Sequence, residues 1–331
     1  MSAADSTGAA PAAPRRSLVR GALFAGGLSV SLIVGANSLR SETKSPEMPF
    51  DAERAYGYLV KICRIGSRTS GSTGMSEQLK LVSEHFQKLG AEVKFQSFDA
   101  PHPLTGDPVR MHNILVAWQP QAKERVLIAC HYDTRPFPDM DRTNPRGPFV
   151  GANDGASGVA LFMEMGNHMA KIKPTLGVDF ILFDGEELVY DRTGKYFLGS
   201  EHFAKQYRDH PPAHTYRYGI VVDMIGDKNL RIAQEKNSVK LAPEPTKSLW
   251  AAAKALDVKE FVPKVEYEVQ DDHLPLNDVA KIPTCDVIDF DYPYWHTTQD
   301  VPQNCDGKSL AKVARVLTYW IQNVPESKRR R

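Results

Sequence analysis

Cysteine is scarce in this chain. The 331 residues contain four, Cys63, Cys130, Cys285 and Cys305, and no two stand in a C-x-x-C arrangement. That spacing argues against a structural zinc knuckle. An even count in an exported protein permits disulfides, but spacing cannot pair them; Cys130, inside an apolar run, reads as a small buried residue. Charge of one sign is also lacking. Lys and Arg total 41 and Asp and Glu 40, a net charge of +1. There is no basic excess to serve a nucleic acid, so none is expected as a partner. The one charge run, Lys328-Arg329-Arg330-Arg331, reads as a solvated tail. No internal repeat is visible. With 42% hydrophobic residues, the length suits one large domain or two small ones.

No apolar run is long enough to span a bilayer comfortably, which takes about 20 residues. The nearest is Gly21–Ala36. It follows Arg15-Arg16-Ser17-Leu18-Val19-Arg20, and the small residues Val34 and Ala36 precede a possible cleavage point. The paired arginines resemble a twin-arginine export signal. Residues 1–36 are therefore expected to be an export signal or a retained membrane anchor. Cleavage is the first reading and an anchor the second. Residues 37–48 read as a linker, 49–324 as the catalytic domain and 325–331 as the basic tail. The protein is expected to be exported, periplasmic or extracellular, or anchored by this segment. Membrane contact is expected only through it.

Within 49–324, helical apolar spacing marks Ala52–Ile65, Ser76–Leu89, Gly155–Ala170, Thr246–Leu256 and Gly307–Gln322. The stripe Leu310, Val313, Val316, Leu317 and Trp320 reads as core packing. Glu92–Phe98 and His112–Trp118 alternate as strands. Arg125–Cys130, Gly177–Phe183, Tyr218–Val222 and Cys285–Phe290 read as strands buried on both faces. Strands alternating with helices imply an α/β fold of three layers, a mostly parallel central sheet with helices on both faces.

Ligands of such sheets sit beyond the carboxyl ends of the strands. His131 and Asp133, Asp184, Glu186 and Glu187, Asp223, and His296 all follow strands. So many imidazole and carboxylate groups on one rim suggest a metal site. A catalytic zinc site takes three protein donors and leaves one position open. The candidate donors are Asp154, Glu187 and His296. Adjacent Glu186 can then remain free to move a proton.

Five stretches carry a resemblance to a known family. They are His131-Tyr132-Asp133, Gly151-Ala152-Asn153-Asp154-Gly155-Ala156-Ser157-Gly158, Phe183-Asp184-Gly185-Glu186-Glu187, Val222-Asp223-Met224-Ile225-Gly226 and Trp295-His296-Thr297. In this order they resemble the zinc aminopeptidases and the glutaminyl-peptide cyclotransferases that share their fold. The resemblance implies a zinc-exopeptidase-like architecture, zinc on Asp154, Glu187 and His296, and Glu186 as general acid/base. In two-zinc peptidases it also implies a second metal on His131 and Asp223, with Asp154 bridging.

Two reactions from different classes compete on this scaffold. One is cyclisation of an N-terminal Gln to pyroglutamate with release of ammonia. The other is hydrolytic removal of N-terminal residues. Either takes peptide or protein N-termini as substrate. The cyclase implies one zinc, and the aminopeptidase allows two. Val269-Gln270-Asp271-Asp272-His273-Leu274-Pro275 resembles a cyclase stretch lining the substrate pocket. By that resemblance Asp271 and Asp223 join Glu186 in an acidic network, and Gln270 and Trp295 contact substrate. Neighbouring carboxylates raise one another's proton affinity, which suits shuttling near neutral pH. Two features lean towards the peptidases. Tyr190-Asp191-Arg192-Thr193 lacks the Trp that animal cyclases carry after the Glu pair, and Gly155-Ala156-Ser157-Gly158 has a peptidase-like turn. The cyclase is the preferred reading and the aminopeptidase the runner-up. A non-catalytic binding protein comes third, because it would predict a broken donor set.

Overall fold

Two of the continuous apolar runs, Arg125–Cys130 and Gly177–Phe183, lie side by side in the middle of a six-stranded sheet. The computed structural model describes residues 50–191 and 194–325, all within one compact unit. The expected signal or anchor, the linker, and the tail beyond Pro325 fall outside the described residues.

In chain order the described elements are α1 (Ala52–Cys63), α2 (Thr73–Lys88), β1 (Glu92–Pro101), β2 (Pro108–Trp118), β3 (Glu124–His131), α3 (Ser157–Gly166), β4 (Gly177–Phe183), α4 (Leu198–Asp209), β5 (Thr215–Asp223), β6 (Ile232–Glu235), α5 (Lys236–Leu241), α6 (Pro243–Ala255), β7 (Phe261–Tyr267), α7 (His273–Asp278), β8 (Thr284–Ile288) and α8 (Gly307–Gln322). The sheet order is β1-β2-β4-β3-β5-β8. Strands β4, β3, β5 and β8 run parallel, while β1 and β2 form an antiparallel hairpin on one edge. The sheet is thus mixed, with a parallel core. Strands β6 and β7 pair separately as a two-stranded parallel ribbon.

Alternation along β3 shows why both faces are covered. Val126, Ile128 and Cys130 join a core built with Leu59 and Ile62 of α1, Phe86 of α2, Trp250 of α6 and Leu317 of α8. Leu127 and Ala129 point the other way, into a second core with Phe203 and Ala204 of α4 and Leu276 of α7. Burial of each large apolar side chain contributes about 1.5–3 kcal/mol. The expected α8 stripe is fully within the core. All four cysteines are free and buried.

The sequence boundaries shift for identifiable reasons. The expected Gly155–Ala170 helix begins later, at Ser157, because Gly155 takes φ +90, outside the helical region. A Cβ there would also collide with the Asp133 carbonyl oxygen, so this turn requires glycine. Strand β2 starts before His112 because its hairpin with β1 extends to a Pro101–Pro108 pair. Helix α4 has no side-chain N-cap and is entered through Phe197 at φ 62, so the usual start signal is missing.

Candidate active site

The carboxyl ends of the four parallel strands turn into loops that meet on one rim. His131 closes β3, Asp223 closes β5, and the Glu186–Glu187 loop follows β4. The Trp295–His296 loop follows β8. Buried carboxylates that do not themselves face the cavity fix the loop backbones. Asp133 accepts hydrogen bonds from the amides of both Glu186 and Glu187, each at 3.1 Å. Asp300 accepts from the amides of Asn153 at 2.8 Å and Asp154 at 3.1 Å. Asn153 in turn accepts from the Gly226 amide at 2.6 Å, and the Ser157 hydroxyl accepts from the Ile225 amide at 3.2 Å. These bonds tie the loop carrying Asp154 to the loop after Asp223.

Two donor sets result, and they share Asp154. In the first, His296 Nε2 faces Asp154 Oδ2 at 3.5 Å and Glu187 Oε2 at 3.6 Å. In the second, His131 Nε2 lies 3.2 Å from both Asp154 Oδ1 and Asp223 Oδ1. Within each set the donor atoms lie within 4.8 Å of one another. Asp154, Glu187, His131 and His296 are buried. Asp154 Oδ2 has no hydrogen-bond partner. A buried carboxylate oxygen aimed at an imidazole nitrogen and a second carboxylate is costly unless something positive is shared among them. One imidazole and two carboxylates are also the donor chemistry of a catalytic zinc, with room for a further ligand. The residues present fit the metal.

Glu186, Asp271, Asp223, Trp295 and Gln270 line one cavity with Asp154, Glu187 and His296. Its volume is about 250 Å³, and the rest of the wall includes Arg135, Tyr196, Phe197, Met224, Ile288 and Phe290. Gln270 is exposed at the rim. The Trp295 ring lies against His296, with centroids 3.9 Å apart. Three non-glycine wall residues, Phe197, Met224 and His296, have positive φ. Such strain persists where surrounding contacts over-determine the backbone, and it gathers at functional sites. A larger cleft of about 640 Å³, lined by Ser70, Arg110, His112, Asp184 and Tyr190, contains none of the residues given a metal-binding, catalytic or substrate-binding role.

The electrostatics are those of a crowded acidic pocket. Burial pushes the Glu186 carboxyl well above the usual range, and the charges of Glu187, Asp272 and Asp271 add to this. Asp271 is likewise raised well above, first by burial and then by Asp272 and Asp223. One Asp271 oxygen accepts the Asp272 amide at 2.5 Å, while Oδ2 is buried without a partner. Asp223 is raised by burial, against the opposing pull of His131. Burial alone would lower His131, but hydrogen bonding to Asp133, Asp154 and Asp223 raises it well above its ordinary value.

Every sequence-derived site residue therefore falls at this rim or in this cavity. Sequence reasoning missed Arg135, Asp139, Tyr196 and Asp300. Arg135 donates its backbone N–H to Glu187 Oε1 at 2.8 Å. Asp139 Oδ1 lies 3.2 Å from His296 Nδ1. Tyr196 occupies the wall near where a Trp was sought after the Glu pair. Position was the only signal available, since Arg135 follows a strand end and Asp300 stands four residues after His296.

Comparison with known proteins agrees with this fold. The model of Peptidase family M28 matches residues 113–321. The chain is similar to the solved structure of a glutaminyl cyclase from Fimbriiglobus ruber. The two share 39% identity over 83% of this chain and 95% of that one, with a TM-score of 0.80. A Zn-dependent exopeptidase structure from Parabacteroides distasonis matches at 30% identity over 83% of this chain and 98% of that one, with a TM-score of 0.77. The glutaminyl-peptide cyclotransferase of Bos taurus is 26% identical over 286 residues, covering 77% of each chain.

Proposed function

The chain belongs to peptidase family M28, and within that family we propose that it is a glutaminyl-peptide cyclotransferase, closing the N-terminal Gln of peptides to pyroglutamate and releasing ammonia. The observation that carries this reading is Asp271. Its carboxyl is buried in the cavity shared with Glu186 and Asp223, has one oxygen free of hydrogen bonds, and is pushed well above the usual range. A cluster of carboxyls with raised proton affinity suits a reaction that moves a proton between two nitrogens and consumes no water. The resemblance to glutaminyl cyclases in sequence and fold supports the same choice.

The donor set suits a single ion. Asp154, Glu187 and His296 would hold zinc, which would supply a Lewis acid at the side-chain amide carbonyl of the substrate. Glu186 takes a proton from the α-amine as that nitrogen attacks the carbonyl carbon of the side-chain amide. The new C–N bond forms, the bond to the side-chain nitrogen breaks, and Glu186 returns the proton to that nitrogen as ammonia leaves. A carboxyl held above its ordinary range is a stronger base near neutral pH, which is where such a shuttle must work. Burial, with the charges of Glu187, Asp272 and Asp271, keeps Glu186 in that state, and Asp223 lines the same cavity. Trp295 forms an apolar wall beside the Gln side chain, and Gln270 meets the peptide at the rim. A cavity of about 250 Å³ matches one modest side chain.

Aminopeptidase activity is the second reading. The additional donor set of His131, Asp154 and Asp223 favours it, because these residues could hold a second ion. Residues 49–324 form the proposed catalytic domain. Export through residues 1–36 is part of the proposal. No helix among the described residues is long and apolar enough to cross a membrane.

The test offers purified protein a Gln-initiated and a Leu-initiated peptide. Ammonia release with loss of one ammonia mass from the first supports the cyclase. Free Leu from the second, with the Gln peptide uncyclised, rejects it in favour of the aminopeptidase.

A further inference from the structure

Behind the proposed metal ligands lies a closed ring of four side chains. Glu187 Oε2 accepts from the Arg135 guanidinium at 3.4 Å, and its Oε1 accepts the Arg135 amide. Arg135 Nε lies 3.1 Å from Asp139 Oδ1. The same Asp139 oxygen is 3.2 Å from His296 Nδ1. His296 Nε2 then faces Glu187 Oε2 at 3.6 Å, which closes the ring. The Arg135 side chain is only 3% exposed, and its guanidinium sits 5.9 Å from the Tyr196 ring centroid.

We infer that Asp139 and Arg135 are positioning residues for the metal-binding end of the site. A neutral imidazole carries one N–H, and its other nitrogen is free to bind a metal. A carboxylate at Nδ1 draws the N–H to that nitrogen, so Asp139 sets the tautomer that leaves Nε2 bare towards Asp154 and Glu187. Outer carboxylates of this kind orient a metal-binding imidazole and raise its basicity. Asp139 is itself 43% exposed and would swing freely on its own. Arg135 restrains that freedom, because one buried guanidinium lies at ion-pair distance from Asp139 through Nε and donates to Glu187 through Nη1. Its planar fork spans two carboxylates at fixed spacing, which a lysine ammonium on a flexible stem cannot reproduce. Arg135 thereby couples the orientation of His296 to that of Glu187.

This inference rests on the proposal that His296 and Glu187 bind zinc, and its test separates the two. Zinc affinity is measured on the purified full chain by competition with a chromophoric chelator, for wild type, Asp139→Ala and Arg135→Lys. The expected result is weakening by about 10–100-fold in both variants, the usual effect of removing such an outer partner. Histidine ring ¹⁵N spectra provide the second readout. The wild type should show His296 with its proton on Nδ1, and Asp139→Ala should give mixed tautomers. Wild-type zinc affinity in both variants, or an unchanged His296 tautomer in Asp139→Ala, overturns the inference. A wild-type protein that binds zinc but releases Leu instead of cyclising Gln rejects the proposed reaction and leaves this ring standing. A wild type without zinc affinity overturns both.

Discussion

Asp300 Oδ2 accepts the backbone amide of Asp154, 146 residues earlier in the chain, at 3.1 Å. Its other oxygen takes the Asn153 amide and the Tyr292 hydroxyl. One buried carboxylate thus fixes the turn that presents Asp154 and holds Tyr292, four residues before His296.

Replacing Asp300 with Asn leaves an amide NH₂ group facing a backbone donor. The expected cost is about 1–3 kcal/mol for a buried polar group left unpaired, together with weaker zinc retention. Chemical denaturation and metal analysis check this. Unchanged stability and metal content would remove Asp300 from the account of the site.

Glu186→Gln should retain zinc and the fold while turnover falls by about 10²–10⁴, the usual size of general acid/base catalysis. Single-turnover kinetics on a Gln-initiated peptide measure it. Near-normal turnover would refute the role given to Glu186.

Asp154→Ala, Glu187→Ala and His296→Ala should each lose zinc on dialysis. Elemental analysis reads the outcome, and full occupancy in all three would contradict the donor set.

Asp184 gives a pH prediction outside the reacting groups. Burial, then the charge of Asp133, raises its carboxyl from 3.8 to about 7, despite hydrogen bonds from the Ser70 hydroxyl and the His112 amide. Between those values the folded chain holds a proton that the unfolded chain has released. Stability from this group is therefore complete below the unfolded pKa and is lost as pH rises through about 7. The slope is at most about 1.4 kcal/mol per pH unit. Asp184→Asn cannot titrate, so the stability of this variant relative to wild type should grow from pH 5 to pH 8. Urea unfolding across that range decides it, and a constant difference would show that the carboxyl is not raised.

Gly155→Ala tests the turn before α3. A side chain at φ +90 is strained and meets the Asp133 carbonyl, and Asp133 also holds the amides of Glu186 and Glu187. The loss should exceed the roughly 1 kcal/mol typical of a glycine forced to alanine in a left-handed site. Calorimetry with zinc analysis reads both effects.

Much of this was legible in the chain itself. Continuous apolar runs such as Arg125–Cys130 and Gly177–Phe183 can be satisfied only between two covering layers, so composition alone fixed them as central strands. Polar residues that follow such strands must emerge at one rim, which is why His131, Glu186, Glu187 and Asp223 could be named beforehand. Local pattern could not reveal α4, which lacks a capping side chain, or the short β6–β7 ribbon, where Val265 is 44% exposed and alternation is weak. Nor could it reveal Asp300, Arg135 or Asp139. Their significance lies in which distant atom each oxygen or nitrogen meets, and hydrogen-bond partners so far apart in the chain are chosen by packing. The strand-end chemistry was thus written along the chain, and the bridging place of Asp154 was implied by family resemblance, while the grip on each loop arose only when the separate loops were folded onto one rim.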